Sequence, residues 1–391
     1  MTATAIDQMI EKLKPTLIER RRYFHKFPEL SFEEHETARA VYDILDKIGN
    51  FQLTRLTPTS VVARLQGREA GKVLVLRADM DALPVQEEND VEYASLNPGI
   101  MHACGHDGHI AMLLTTAEVL SAFREQIKGE VRFIFQHAEE KYPGGAEELI
   151  QAGVMDQADW IIGAHLWSSL RVGTVGLNYG PIMAAPDSFR ITVKGRGGHA
   201  ALPHQTNDPI VIGAQVVTNL QHVVSRNLDP LESAVVTVTQ FHAGNADNVI
   251  PGSAEIRGTV RTLDEKIRQK IPPLMERIIK GITQAHGATY IFNYYLGYKV
   301  VVNSQEPTKI IADTVKELLG EEALVYIRPS MGGEDFSAYL QKTPGTFFFV
   351  GAGNREKGLS YPHHHPCFNI DEAGLSNGVR IFAHTALKLL G

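Results

Sequence analysis

The sequence predicts an α/β protein built on a doubly wound mixed sheet, with a smaller α+β domain inserted into it. Apolar strand-like runs alternate with helical stretches through residues 61–166, the pattern of a sheet covered by helices. Between about 182 and 297 the order becomes β-α-β-β-α-β, the ferredoxin-like split. Histidine-rich sequence then returns at Tyr361-Pro362-His363-His364-His365-Pro366. The expected division is a discontinuous catalytic domain, residues 1–181 and 298–391, around an insertion at 182–297. At 391 residues the chain is too long for one small core, which agrees with two domains.

Taken in order, Ile6, Met9, Ile10, Leu13 and Leu17 stand at helical spacing and predict a helix over 6–24, and 36–48 suggests a second amphipathic one. Val61-Val62-Ala63-Arg64-Leu65 and Lys72-Val73-Leu74-Val75-Leu76 read as strands, with Gly67 and Gly71 framing the turn between them. The second strand leads into Asp79 and Asp81. A helix over 108–124 starts beside Cys104, and its N-terminal dipole favours a thiolate there. A strand at 131–135, a helix at 146–152 and a strand at 160–166 continue the alternation. In the insertion, strands are expected at 188–194, 234–240, 254–261 and 290–295, and helices at 209–226 and 267–286.

Composition narrows the function. The chain is 43% hydrophobic and 21% charged, ordinary for a globular protein and unlike a disordered one. A formal charge of −7 offers no electrostatic footprint for nucleic acid. No apolar run reaches the length of a membrane span, and residues 1–14 have neither the apolar core nor the cleavage pattern of a signal peptide. Cys104 and Cys367 are the only cysteines. A thiolate ligand at Cys104 is incompatible with a disulfide, so a reducing, cytoplasmic compartment is expected.

Met101-His102-Ala103-Cys104-Gly105-His106-Asp107-Gly108-His109 concentrates a cysteine, three histidines and a carboxylate in nine residues. A polar turn with a buried free cysteine would carry the same residues, so further ligands decide the matter. Phe133-Ile134-Phe135-Gln136 runs directly into His137-Ala138-Glu139-Glu140, and Ile161-Ile162-Gly163-Ala164 ends on His165. With the 363–365 histidines these clusters lie at strand ends or in loops, where α/β folds place their chemistry. Thiolate and imidazole suit zinc, cobalt, nickel or manganese better than calcium or magnesium. Paired carboxylates beside a metal divide labour as ligand and general base.

Arg77-Ala78-Asp79-Met80-Asp81-Ala82-Leu83-Pro84, His102 to His109, Gln136 to Glu140, Gly144-Gly145-Ala146 and Gly163-Ala164-His165 together resemble the aminoacylase and carboxypeptidase subfamily of the dinuclear metallopeptidases. The resemblance runs from Arg21-Arg22-Tyr23-Phe24-His25 to Phe368-Asn369-Ile370-Asp371-Glu372. It implies a catalytic domain of the phosphorylase/zinc-exopeptidase type and a ferredoxin-like lid that also dimerises. It further implies that Cys104, His106, Glu140, His165 and a C-terminal histidine hold two divalent first-row ions, with Cys104 between them and Glu139 as base. Aligning the family's Pro and Phe on Pro366 and Phe368 places that histidine at His364. The family usually has proline where this chain has His137, a departure that would loosen the turn before Glu139. Asp79 is implied as a residue behind the ligands, although a strand-end carboxylate has a purely structural use as well.

In the insertion, Gly195-Arg196-Gly197-Gly198-His199-Ala200 and Asn248-Val249-Ile250-Pro251 resemble family motifs that reach an active site. His199 is expected to stabilise the oxyanion and Asn248 to hold substrate. A turn histidine capping a glycine-rich loop is the plainer alternative. Arg261 is a candidate partner of the substrate carboxylate, or an exposed strand arginine. Glu334, in Gly332-Gly333-Glu334-Asp335-Phe336, lines the site or caps a helix start. The expected substrate is a small molecule, an N-acyl amino acid or a short peptide with a free carboxylate, and the expected assembly is a homodimer or a dimer-based oligomer. Two other classes stay open: Cys104 as a covalent nucleophile, sensitive to alkylation rather than chelation, and a non-catalytic binder, which would lack Glu139. No Gly-x-Ser-x-Gly elbow competes.

Overall fold

Continuous apolar runs build the central strands, and their order decides where the polar residues meet. This computed structural model describes residues 2–391. Its larger unit holds β1 (Phe51–Thr54), β2 (Val61–Gln66), β3 (Glu69–Asp79), β4 (Lys128–Gln136), β5 (Trp160–Arg171) and β6 (Val175–Leu177), together with strands Leu324–Tyr326 and Gly345–Gly353. They form one eight-stranded sheet in the order β1, β2, β4, β3, β5, Gly345–Gly353, β6, Leu324–Tyr326. Gly67 lies between β2 and β3, but Gly71 falls inside β3, where its pairing with β4 shifts register, and the two strands are not neighbours. β4 inserts between them, antiparallel to β2 and parallel to β3. The sheet is therefore mixed, and β3 and β4 finish side by side, Asp79 opposite Gln136.

Alternation assigns the two faces. Val61, Ala63 and Leu65, Leu74, Leu76 and Ala78, Val131, Phe133 and Phe135, and Ile162, Ala164 and Leu166 all enter one core. Helices α1 (Thr2–Lys26), α2 (His35–Ile48), α3 (His106–Ala122), Gln305–Leu319 and Leu375–Leu390 contribute to the same core. Helix α3 is buried on nearly every side, which explains why it is apolar all round. On the other face a polar layer is satisfied internally. Arg77 Nε donates to Gln136 Oε1 at 2.9 Å, and Arg77 Nη2 to Asp335 Oδ1 at 2.7 Å. Tyr339 Oη also donates to Gln136 Oε1, at 2.9 Å. Beneath α3, the buried Arg21 Nε pairs with Asp107 Oδ2 at 2.8 Å, and His25 Nδ1 meets the same oxygen at 2.8 Å.

The smaller unit comprises residues 183–301 and 329–334. Its sheet runs Ala234–Ala243, Ser253–Thr262, Ala185–Lys194, Thr289–Tyr295, with every neighbouring pair antiparallel. Two helices, Pro209–Asn227 and Glu265–Ala285, bury Ile212, Val216 and Leu220, and Ile271, Met275 and Ile279, against Phe189, Ile191, Ile256 and Val260. Asp208 and Asp264 start these helices by accepting from Ile210 N and Ile267 N. This is the ferredoxin-like arrangement. Segment 329–334 joins this unit because Ala184 N donates to Ser330 O and Gly332 O, a non-local pairing with no periodic signal in the sequence. No helix among the described residues is long and apolar enough to cross a membrane.

Candidate metal centre

The parallel strand ends of the larger unit supply the platform. β3 ends on Asp79, β4 leads through Ala138 to Glu139 and Glu140, and β5 carries His165 opposite Phe349. Gly105, at φ +92, lets the chain turn into α3 directly after Cys104, so that His106 opens the helix. His364 also has a positive φ, +68, and its N–H donates to Ala103 O at 2.8 Å, pinning the C-terminal loop beside Cys104.

Among the donor groups with ligand atoms mutually within 4.8 Å, three hold the expected ligands: Cys104, His106 and His165; Cys104, Glu140 and His364; and His106, Glu139 and Glu140. Cys104 belongs to the first two. Its Sγ lies 3.4 Å from His165 Nε2, and Glu140 Oε1 lies 3.3 Å from His364 Nε2. The imidazole tautomers suit coordination. His165 Nδ1 donates to Leu166 O at 2.7 Å and His106 Nδ1 to Asp81 O at 2.9 Å, which turns each Nε2 inward, with a free lone pair on His165 and, on His106, a proton that a metal ion would displace. Buried His106 Nε2 has no hydrogen-bond partner among the described residues. Leaving such a group unsatisfied costs about 1–3 kcal/mol, and coordination to a cation removes that cost. A set of one sulfur, three imidazole nitrogens and carboxylate oxygens fits borderline first-row ions.

The same geometry separates the three adjacent histidines. His363 Nε2 donates to Leu166 O at 2.9 Å, and burial holds this ring neutral, with its pKa down to about 4. His365 stacks on Tyr361 at 4.5 Å, and its Nδ1 accepts from Cys367 N. Only His364 turns toward Glu140, whose carboxylate holds it above the ordinary imidazole value.

Burial pushes the Cys104 thiol well up, and Glu140 and Glu139 push it further, against the pull of the helix N-terminus beside it. A cation is required to offset them. Burial lowers His165 well below its usual range, reinforced by His109 and His363, and the ring stays neutral. For His106 burial also opposes the charge, yet Asp79, Asp81 and Glu140 raise it to about 10. Those same carboxylates are what a metal cation would neutralise.

Behind the donors stand residues the motifs only partly announced. Asp79 accepts from Arg77 Nη1 at 2.7 Å and His109 Nδ1 at 2.6 Å. His109 Nε2 in turn accepts from Leu166 N at 2.8 Å, so His109 ties Asp79 to the strand that carries His165. Asp81 orients two donors at once: its carbonyl takes the His106 proton, and its Oδ2 accepts from Glu140 N at 2.9 Å. Neither Asp81 nor His109 was expected in the site. His109 lies three residues after His106 and thus on the same helical face, a signal that could have found it. His137 does not turn to the donors; it is buried, with Nε2 3.0 Å from Glu148 Oε2.

Four candidates lie in the smaller unit. His199 is exposed, and its Nδ1 accepts from Ala201 N at 3.1 Å, which places the proton on Nε2 as an outward donor. Asn248 is exposed, and its carbonyl accepts from Ala200 N at 3.1 Å. Arg261 is half-buried and donates through Nη1 to Thr259 Oγ1 and to Val260 O. Glu334 is buried at the end of segment 329–334.

Known proteins resemble this chain throughout. It is 59% identical over 306 residues to an N-acyl-L-amino acid amidohydrolase of Geobacillus stearothermophilus, covering 78% of this chain and 83% of that one. It is 42% identical to thermostable carboxypeptidase 1 of Saccharolobus solfataricus, covering 97% and 96%. A crystal structure of a Bacillus subtilis protein, described as a dinuclear metal binding peptidase from the M20 family, superposes with a TM-score of 0.85 at 36% identity, covering 97% and 99%. The family model for peptidases M20/M25/M40 matches residues 75–388, and this chain belongs to that family of hydrolases.

Proposed function

We propose that this protein is a dinuclear metal-dependent amidohydrolase that cleaves the amide of N-acyl amino acids, releasing a carboxylate and a free amino acid. The observation that carries the proposal is the sharing of Cys104 between two donor groups, with Glu139 beside both. Cys104, His106, Glu140, His165 and His364 would hold two divalent first-row ions, zinc, manganese, cobalt or nickel. Bound there, the ions supply Lewis acidity toward water and the substrate carbonyl. Glu139 accepts the proton of the attacking water and returns it to the leaving amine. His199 donates from Nε2 to the carbonyl oxygen as negative charge develops, Asn248 and Arg261 bind the substrate carboxylate, and Glu334 lines the site. The free thiol required at Cys104 supports a cytoplasmic location.

The carboxypeptidase relative favours a second reading, cleavage of short peptides with a free C-terminal carboxylate. A panel of N-acetyl and N-benzoyl amino acids and of dipeptides with free and with blocked carboxylates, assayed with metal-loaded protein, separates the two. Turnover of the N-acyl series, lost with chelator and restored by added metal, is the expected result. Activity that ignores chelators but yields to thiol alkylation would sink the metal chemistry.

His364→Ala is expected to lower metal content measured after gel filtration, whereas His363→Ala and His365→Ala keep most of it, because the rings of those two are engaged elsewhere. Depletion in His363→Ala instead would shift the ligand by one position.

We also propose a homodimer in which His199 of one subunit serves the other's metal centre. Mixing inactive His199→Ala with inactive Glu139→Gln, under subunit exchange, should restore one working site per mixed dimer. A fully active monomer, or mixtures that never recover, would contradict the shared site.

A further inference from the structure

One fully buried carboxyl has no part in the chemistry above. Glu34 begins α2 with its main chain, its carbonyl accepting from Ala38 N at 2.9 Å, but its side chain caps none of that helix's amides. It turns instead toward the end of β4, where Oε1 accepts from Ala138 N at 2.7 Å. Ala138 stands at φ +52, in the left-handed region, and immediately precedes Glu139 and Glu140. A residue with a Cβ adopts that conformation at an energetic cost and keeps it only when its surroundings hold it there. Gln136 leaves the sheet in register, so rotation at Ala138 is the freedom that decides where both carboxylates point.

The same N-terminal loop reaches the site a second time. Ser31 Oγ donates to Asp81 Oδ2 at 2.7 Å, and that oxygen accepts from Glu140 N. Phe32 packs edge-on against His137 at 5.6 Å. The loop thus touches the turn at His137 and Ala138 and reaches Glu140 through Asp81, and the Glu34 contact is the one that bears on its left-handed residue.

We propose that Glu34 is a positioning residue for the Glu139–Glu140 pair, its carboxyl fixing the turn at Ala138 and so the direction of both side chains. The proposal rests on the reading of Glu139 as base and Glu140 as ligand. Acceptance through one oxygen is what matters. Glu34 Oε2 has no hydrogen-bond partner among the described residues, and burial together with Asp81 pushes this carboxyl up to about 8. A glutamine keeps the accepting oxygen; an alanine removes it.

Three variants test the assignment: Glu34→Ala, Glu34→Gln and, as a control in the same loop, Glu29→Ala. The Glu29 carboxylate accepts from Glu36 N and Thr37 N at the start of α2, and has no contact with the 137–140 turn. Glu34→Ala should lower kcat by about 100-fold with KM within a few-fold, the scale for misplacing a reacting group by an ångström. It should also give up metal to chelator faster and show faster amide exchange across 137–140. Glu34→Gln should restore most of kcat and the slow exchange. Glu29→Ala should lower Tm while leaving kcat and exchange at the turn unchanged. If Glu34→Ala does not fold, Glu34→Asp, one methylene short of Ala138, should show the same pattern. Wild-type kcat and exchange in Glu34→Ala, or the same losses in Glu29→Ala, would overturn the proposal. If the wild type has no metal-dependent amidase activity, the functional reading fails, and exchange at 137–140 alone still decides the role of Glu34.

Discussion

Glu139→Gln is expected to retain the metal ions of the wild type and to lose about 10²–10⁴-fold in kcat, the range for removing a positioned general base. The neutral amide fills the same buried space but cannot take a proton from water. Glu140→Gln should behave differently. Its carboxylate stands with Cys104 and His364 in one donor group, so the loss should appear first in metal content and only then in rate. Metal analysis alongside steady-state kinetics on both variants distinguishes the roles. Equal metal depletion in the two would mean that they are reversed.

Cys104→Ala is expected to have the largest effect on metal content, because it removes the one donor common to the Cys104–His106–His165 and Cys104–Glu140–His364 groups. Both ions should be lost or greatly weakened, and activity with them. The thiol also fixes the sign of the pH dependence. Burial, Glu140 and Glu139 raise its pKa well above the ordinary value, so the metal-free protein keeps the thiol proton and metal binding must expel it. Affinity should therefore rise with pH, by about tenfold per unit for each proton released, and fall as pH drops. Competition titrations against a chelator of known affinity, together with the measured proton release, check this. A Cys104→Ala variant that still binds two ions tightly, or affinity independent of pH, would remove Cys104 from its shared position.

Much of the architecture was legible from local pattern. The apolar runs at 61–65, 72–76, 131–135 and 160–166 are strands, buried on both faces, and the six elements of the smaller unit follow the expected order, because apolar content and its spacing along the chain mark buried elements whatever the partner. Sheet order was not legible. Two strands separated by a short glycine-framed turn would be paired by local reasoning, and here β4 lies between them. Strand neighbours depend on which apolar faces pack best across the whole sheet.

The sequence by itself determined the chemical types of the donors, the strand ends on which they sit and the family that uses them, since side-chain chemistry and periodicity are properties of neighbouring residues. The tertiary structure decided the rest. It turned His364 rather than His363 or His365 toward Glu140, and placed Asp81 and His109 behind the ligands. It set Glu34 against Ala138 and pushed the Cys104 thiol pKa up despite the helix that starts beside it. Each of these outcomes is a distance between residues far apart in the chain, or a desolvation that only packing creates. No local pattern encodes either one.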